Sequence, residues 1–313
     1  MLTAAIVALF ALISGNLFAQ TKRDIAIAYN AALKLDSTDH AAALNKMFDV
    51  LGMCKTLGTE ADDLNKMSRA VIQQIPNSLA KDKKYDDAFT ALNLTIAYAE
   101  KNNDAEMKEK AQKQMPKFYA AKGQEQMKAE DTDGAIVSFE KASSLDPTFT
   151  RAFYNAGIAY KKKDDVTNMQ KAMDKTIELA SKENDTVTVG KAKEQMTGIL
   201  LSHANKSMST GKFGPAIEMA GSSLKYSTTR SNAYLILAIS YNNTSKFDLA
   251  IEAANKGLSI EPKPEKQQDF YLELGKSYEG KKDIPNACTN YKKITSGANK
   301  AAASVKLTNL KCK

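Results

Sequence analysis

The chain has 313 residues, 43% hydrophobic and 26% charged, with no tryptophan, 15 glycines and a formal net charge of +8. That length supports a substantial core, and the alanine-rich, glycine-poor composition suits a helical stack. A positive balance can signal nucleic acid, but no basic stripe interleaved with aromatics runs along the chain; its densest run, Lys161-Lys162-Lys163, reads as a solvated helix end, and we expect no nucleic-acid partner.

Residues 1–19 carry no charge before Lys22, and the apolar run Leu2–Ile13 is short for a membrane span. With Ala19 before Gln20, the segment reads as a secretory signal peptide cleaved after Ala19. The alternative reading is an uncleaved anchor, since no basic residue precedes the run and Leu17 stands at −3. The expected location is a periplasm or the cell exterior, with no membrane span in the mature chain.

Residues 20–103 read as divergent helices. His40-Ala41-Ala42-Ala43 with Met47 and Val50, and Tyr85-Asp86-Asp87-Ala88 with Leu92 and Thr95, have the spacing of packed second helices of helix pairs. The helix between them looks about two turns short, because only 12 residues separate Pro76 from Ala88 whereas 19 separate Pro116 from Ala135.

Residues 104–313 hold a five-fold repeat, in segments beginning at Pro116, Thr150, Thr197, Ser231 and Gln268. The eighth residue is always tiny: Gly123, Gly157, Ala204, Ala238, Gly275. The fourth is large and apolar: Tyr119, Phe153, Leu200, Tyr234, Tyr271. The twentieth is Ala135, Met169, Ala216, Ala250 or Ala287, and the twenty-fourth Phe139, Met173, Ala220, Ala254 or Tyr291. The steps from Ala88 to Ala135 and from Met169 to Ala216 are 47 residues rather than 34, which predicts longer helices instead of unstructured loops, with Pro116 kinking one or marking its restart. A last helix near Asn299 to Lys311 carries Ala303, Leu307 and Leu310 on one face, as a terminal cap requires.

This pattern resembles the tetratricopeptide repeat, a helix–turn–helix unit of about 34 residues. Leu237-Ala238-Ile239-Ser240-Tyr241 and Leu274-Gly275-Lys276-Ser277-Tyr278 come nearest its L-G-x-x-Y signature. The resemblance implies an all-α, right-handed superhelical solenoid with a C-terminal capping helix. It also implies a non-enzymatic scaffold or adaptor that takes a protein or peptide partner in a groove lined by first helices. On that reading the groove residues are Arg151, Tyr154, Ile158, Lys161, Asn232, Leu235, Ile239 and Asn242, although Tyr154, Ile158, Leu235 and Ile239 could equally pack between repeats. The carboxylate clamp of one subclass is not matched: Ala120, Gln124, Gly198 and Ser202 stand at its positions, and only Asn155 agrees. The alternative function is a charge-driven module for an acidic envelope polymer or polysaccharide.

Catalytic chemistry finds no support. His40 and His203 lie in separate repeats without ligand-like neighbours, and no zinc spacing, phosphate loop or nucleophile elbow occurs. We expect no catalytic, cofactor or metal residues. Asp86-Asp87 and Asp164-Asp165 stand at helix starts, where capping explains them. Asp36-Ser37-Thr38 and Asp185-Thr186-Val187 fit a short O-glycosylation sequon, and turn chemistry explains them equally well. Of three cysteines, Cys288 and Cys312 fall on helices expected to pack together and are paired as a disulfide, leaving Cys54 as a small buried hydrophobe.

Overall fold

The computed structural model describes residues 21–36 and 38–313, and every regular element among them is helical. The signal-peptide segment and Ser37 lie outside the described residues. Residues 21–36 form α1, followed by α2 (His40–Leu57), a single 3-10 turn (Gly58–Ala61), α3 (Asp62–Lys81) and α4 (Tyr85–Lys101). Then come α5 (Ala105–Lys128), α6 (Thr132–Leu145), α7 (Thr150–Lys162), α8 (Val166–Lys182) and α9 (Thr186–Ser209). The rest are α10 (Phe213–Ser223), α11 (Ser231–Asn243), α12 (Phe247–Ile260), α13 (Pro264–Gly280), α14 (Ile284–Lys292) and α15 (Asn299–Asn309). The fold is an all-α array of helix–turn–helix repeats. It forms two compact units, one ending at Ala159 and the other running from Tyr160 to Lys313, so the division falls within α7.

The extra residues of the long steps lengthen helices, as their spacing predicts. α4 and α8 each have 17 residues, and α5 and α9 each have 24. α5 passes through Pro116 without restarting. The expectation of a short helix before Ala88 is overturned, because α3 runs 20 residues with Pro76 inside it. Pro76 does not open a repeat. It lies 12 residues before Ala88, the spacing that separates Gly123 from Ala135, so it occupies the eighth position, and no turns are missing.

The turn inside each pair repeats one device. Lys83, Glu130, Asp164, Ser245 and Lys282 all have φ between 58° and 64°, and Gly211 stands at the equivalent place at 73°. The next residue's N–H reaches back to the carbonyl five residues earlier, as in Asp131 N to Gln126 O at 2.9 Å and Asp283 N to Tyr278 O at 2.8 Å. This is a Schellman ending, which satisfies carbonyls that a helix end would otherwise orphan. Asp104, Asp131, Asp165, Asp185 and Asp283 then cap the following helices by accepting a backbone N–H three residues on. A non-glycine residue in the left-handed region costs about 1–2 kcal/mol. Glu130→Gly should therefore stabilise the first unit by about 1 kcal/mol, read as a higher denaturation midpoint; a lower midpoint would contradict this account of the turn.

Packing inside each pair follows the tiny eighth residue. A Cβ at Gly123 would come 2.6 Å from the Phe139 ring, and one at Gly275 would come 2.4 Å from the Tyr291 ring. At four of the repeats the eighth and twenty-fourth residues are matched in volume: Gly123 and Gly275 face aromatic rings, whereas Ala204 and Ala238 share their buried cluster with Ala220 and Ala254. In the first unit Phe48 stacks on Tyr98 at 4.3 Å and Phe89 on Tyr119 at 4.1 Å between ring centroids. In the second, Tyr291 and Phe270 are fully enclosed.

Candidate partner-binding face

The first helices of the second unit place a leucine at the fifth repeat position three times over, as Leu201 on α9, Leu235 on α11 and Leu272 on α13. α11 packs beside both α9 and α13, so these positions form one row. Leu201 is buried, while Leu235 and Leu272 are half-buried. Ile239 is half-buried one turn further along α11, and Asn232 and Asn243 are exposed on the same helix. Leu235 and Ile239 therefore offer apolar surface bordered by the amides of Asn232 and Asn243.

Asn242 does not belong to that open surface. Its amide donates to Glu273 Oε2 at 2.8 Å and to the Glu273 carbonyl at 3.0 Å, and its Oδ1 accepts from the Ser277 hydroxyl at 2.7 Å. Lys276 closes the network on Glu273 Oε1 at 2.7 Å. Glu273 is only 3% exposed, so this ring of donors holds a buried carboxylate between α11 and α13. Lys161 is engaged likewise, donating to Gln195 Oε1 at 2.7 Å. The lysine run leads to Asp164, which pairs with His203 Nε2 at 2.6 Å, a boundary histidine with a satisfied ring nitrogen.

In the first unit Arg151 is exposed, and Tyr154 and Ile158 are half-buried on α7. The Gln124 amide, oriented to satisfy both its ends, accepts from Arg151 Nη2 and Asn155 Nδ2, each at 3.0 Å. Asn155, the one residue that agrees with a carboxylate clamp, is thus already held by α5. The predicted residues divide between the two units: Arg151, Tyr154 and Ile158 stand in one, and Lys161, Asn232, Leu235, Ile239 and Asn242 in the other.

The C-terminal cap closes the second unit. Ala303 is buried, and Leu307 and Leu310 pack with Tyr271, Leu272 and Tyr278 around Tyr291 and Ile294. A disulfide joins Cys288 on α14 to Cys312 just past α15, with 5.6 Å between Cα atoms, and Cys54 is free and buried. Burial pushes the Tyr291 phenol up, and its hydrogen bond to Glu279 at 2.7 Å adds to that. Burial would raise the Glu279 carboxyl too, but Lys306 at 2.8 Å and the Tyr291 hydroxyl hold it below its ordinary value. Among the described residues no group of three or more His, Cys, Asp or Glu could hold a metal ion, and no helix is long and apolar enough to cross a membrane.

Paired helices, a recurrent Schellman turn and a tiny eighth residue define an all-α helical repeat protein. The tetratricopeptide-repeat profile matches residues 116–149 and 231–264. Those two segments are tetratricopeptide repeats. Among solved structures, MamA is 21% identical over 63% of this chain and 95% of its own, with a TM-score of 0.37. YrrB, described as a tetratricopeptide-repeat protein with an unusual peptide-binding site, is 13% identical over 61% of this chain and 91% of its own, with a TM-score of 0.36. The TPR2AB domain of yeast Sti1, solved in a pHSP90 complex, is 13% identical over 78% of this chain and 97% of its own, with a TM-score of 0.34. No curated protein matches the chain.

Proposed function

We propose that this chain is a non-enzymatic scaffold that binds a protein or peptide segment on the first-helix face, outside the cytoplasm of a bacterial cell. The observation that carries the reading is the half-buried pair Leu235 and Ile239 on α11, flanked by Leu272 on α13. Apolar anchors within a polar rim are what protein recognition uses, and a few central anchors carry most of the affinity. The extracytoplasmic part rests on the uncharged apolar start of the sequence and on the Cys288–Cys312 pair, because disulfides persist in oxidising compartments. Tyr154 and Ile158 extend the proposal to the first unit as a second pair of anchors.

Leu235→Ser with Ile239→Ser should lower partner recovery at least tenfold, since truncating central anchors typically costs about 1–3 kcal/mol or more. The variant should keep its helical signal and melt cooperatively. Lys256→Glu, on the exposed face of α12, should leave recovery within about twofold. Full recovery with the double variant, or loss with Lys256→Glu alone, would place the interaction elsewhere. Non-reducing peptide mapping of protein isolated from the envelope should return one Cys288–Cys312 peptide and a free Cys54 thiol; a bridge through Cys54 would overturn the compartment and pairing together.

A further inference from the structure

The second unit ends in a stretch without a single acidic residue. From Ile284 to Lys313 the chain carries Lys292, Lys293, Lys300, Lys306, Lys311 and Lys313 and no Asp or Glu. Six of the eight excess positive charges thus sit in the last 30 residues. The fold draws several of them together. The disulfide fastens Cys312, and with it Lys311 and Lys313, to α14 one turn before Lys292, and the Lys292 ammonium donates to the Lys313 carbonyl. Lys306 is committed to Glu279, and Lys293 lies 4.9 Å from the Tyr271 ring centroid. Lys292, Lys300, Lys311 and Lys313 are exposed.

We infer that this disulfide-tied lysine cap is a second binding surface, and that its ligand is an acidic polysaccharide bearing carboxylate or sulfate groups. Charge complementarity selects a polyanion, because a concentrated patch of one sign raises the local concentration of the other. The neighbouring side chains select among polyanions. Thr289, Thr295, Ser304, Thr308 and Asn309 are exposed beside the lysines and supply hydroxyl and amide groups suited to sugar hydroxyls. Base stacking needs exposed aromatic faces, but Tyr291 is fully buried and Tyr271 is covered by Lys293. Insertion into a lipid surface needs bulky apolar side chains at the front, and α15 offers only Val305 beyond its alanines. This surface belongs to α14 and α15 and stands independently of the first-helix reading.

The test measures anisotropy of fluorescein-labelled polygalacturonate and dextran sulfate with the disulfide-intact protein. Binding is expected at low salt and should fall at least tenfold by about 0.5 M salt, where screening shortens the reach of exposed charges. Replacing Lys292, Lys300, Lys311 and Lys313 together by glutamine should weaken binding tenfold or more. Replacing the same four by arginine should retain it, which separates lost charge from lost fold. Glutamine at Lys46, Lys101, Lys212 and Lys246 removes as much charge elsewhere and should change affinity by less than about twofold. Equal loss in both glutamine variants would overturn the proposal in favour of net charge. Tighter binding to single-stranded DNA or to phosphatidylglycerol vesicles than to either polysaccharide would overturn the choice of ligand.

Discussion

Gly275→Leu should prevent the last repeat from packing. A Cβ alone at this position would stand 2.4 Å from Tyr291 Cε1, and the ring cannot yield because it is fully buried and its hydroxyl is held by Glu279. Overpacking of this kind costs about 1–3 kcal/mol and more when the neighbour is fixed. Tyr291→Ala should cost about 3–5 kcal/mol by leaving a cavity. Together the two changes move the bulk from the twenty-fourth position to the eighth, so the leucine can fill the space that the ring leaves. The double variant should therefore be more stable than the sum of the single losses predicts, by a coupling of about 1–3 kcal/mol. Urea denaturation of the four proteins measures it; strict additivity would show that the eighth and twenty-fourth residues are not matched.

Asn242→Leu should cost about 2–3 kcal/mol, because it strips one hydrogen bond from the carboxylate and one from the backbone carbonyl of Glu273, which is only 3% exposed. Removing one partner leaves the other charged and unsatisfied, whereas replacing both by apolar groups can be nearly neutral. Asn242→Leu with Glu273→Leu should therefore recover most of the loss. Thermal melts of the two single variants and the double variant decide this. A double variant less stable than Asn242→Leu would mean that Lys276, rather than Asn242, holds the carboxylate.

Much of this architecture is legible in the sequence because repetition reports packing. The recurrence of Gly123, Gly157, Ala204, Ala238 and Gly275 marks a close helix approach that no single occurrence would establish. The long steps read correctly as longer helices, since a coil of that length has no way to satisfy its backbone inside a packed array. Pro76 misled for a physical reason. Aligned with Pro116, which opens a repeat, Pro76 makes the helix look short, yet it stands where a small residue must and its helix begins 14 residues earlier at Asp62. Asn242 misled differently. Helical spacing places it on the face that borders the next repeat, but spacing cannot tell whether a neighbour reaches across, and Glu273 does. The lysine cap escaped because its charges are spread over 22 residues and only the disulfide gathers them, whereas Lys161–Lys163 draws attention by adjacency alone.

A photo-reactive phenylalanine analogue placed singly at Leu235, Ile239, Tyr154, Lys141 or Lys256 in the living cell tests the central claim most directly. The first three positions lie on first helices, and Lys141 and Lys256 lie on second helices α6 and α12. Crosslinks form only with groups in contact, so no assumption about affinity or folding of a truncated surface enters. The account predicts a protein adduct from Leu235, from Ile239 and from Tyr154, of the same mass for Leu235 and Ile239, and none from Lys141 or Lys256. Adducts from Lys141 or Lys256 with none from Leu235 and Ile239 would contradict it.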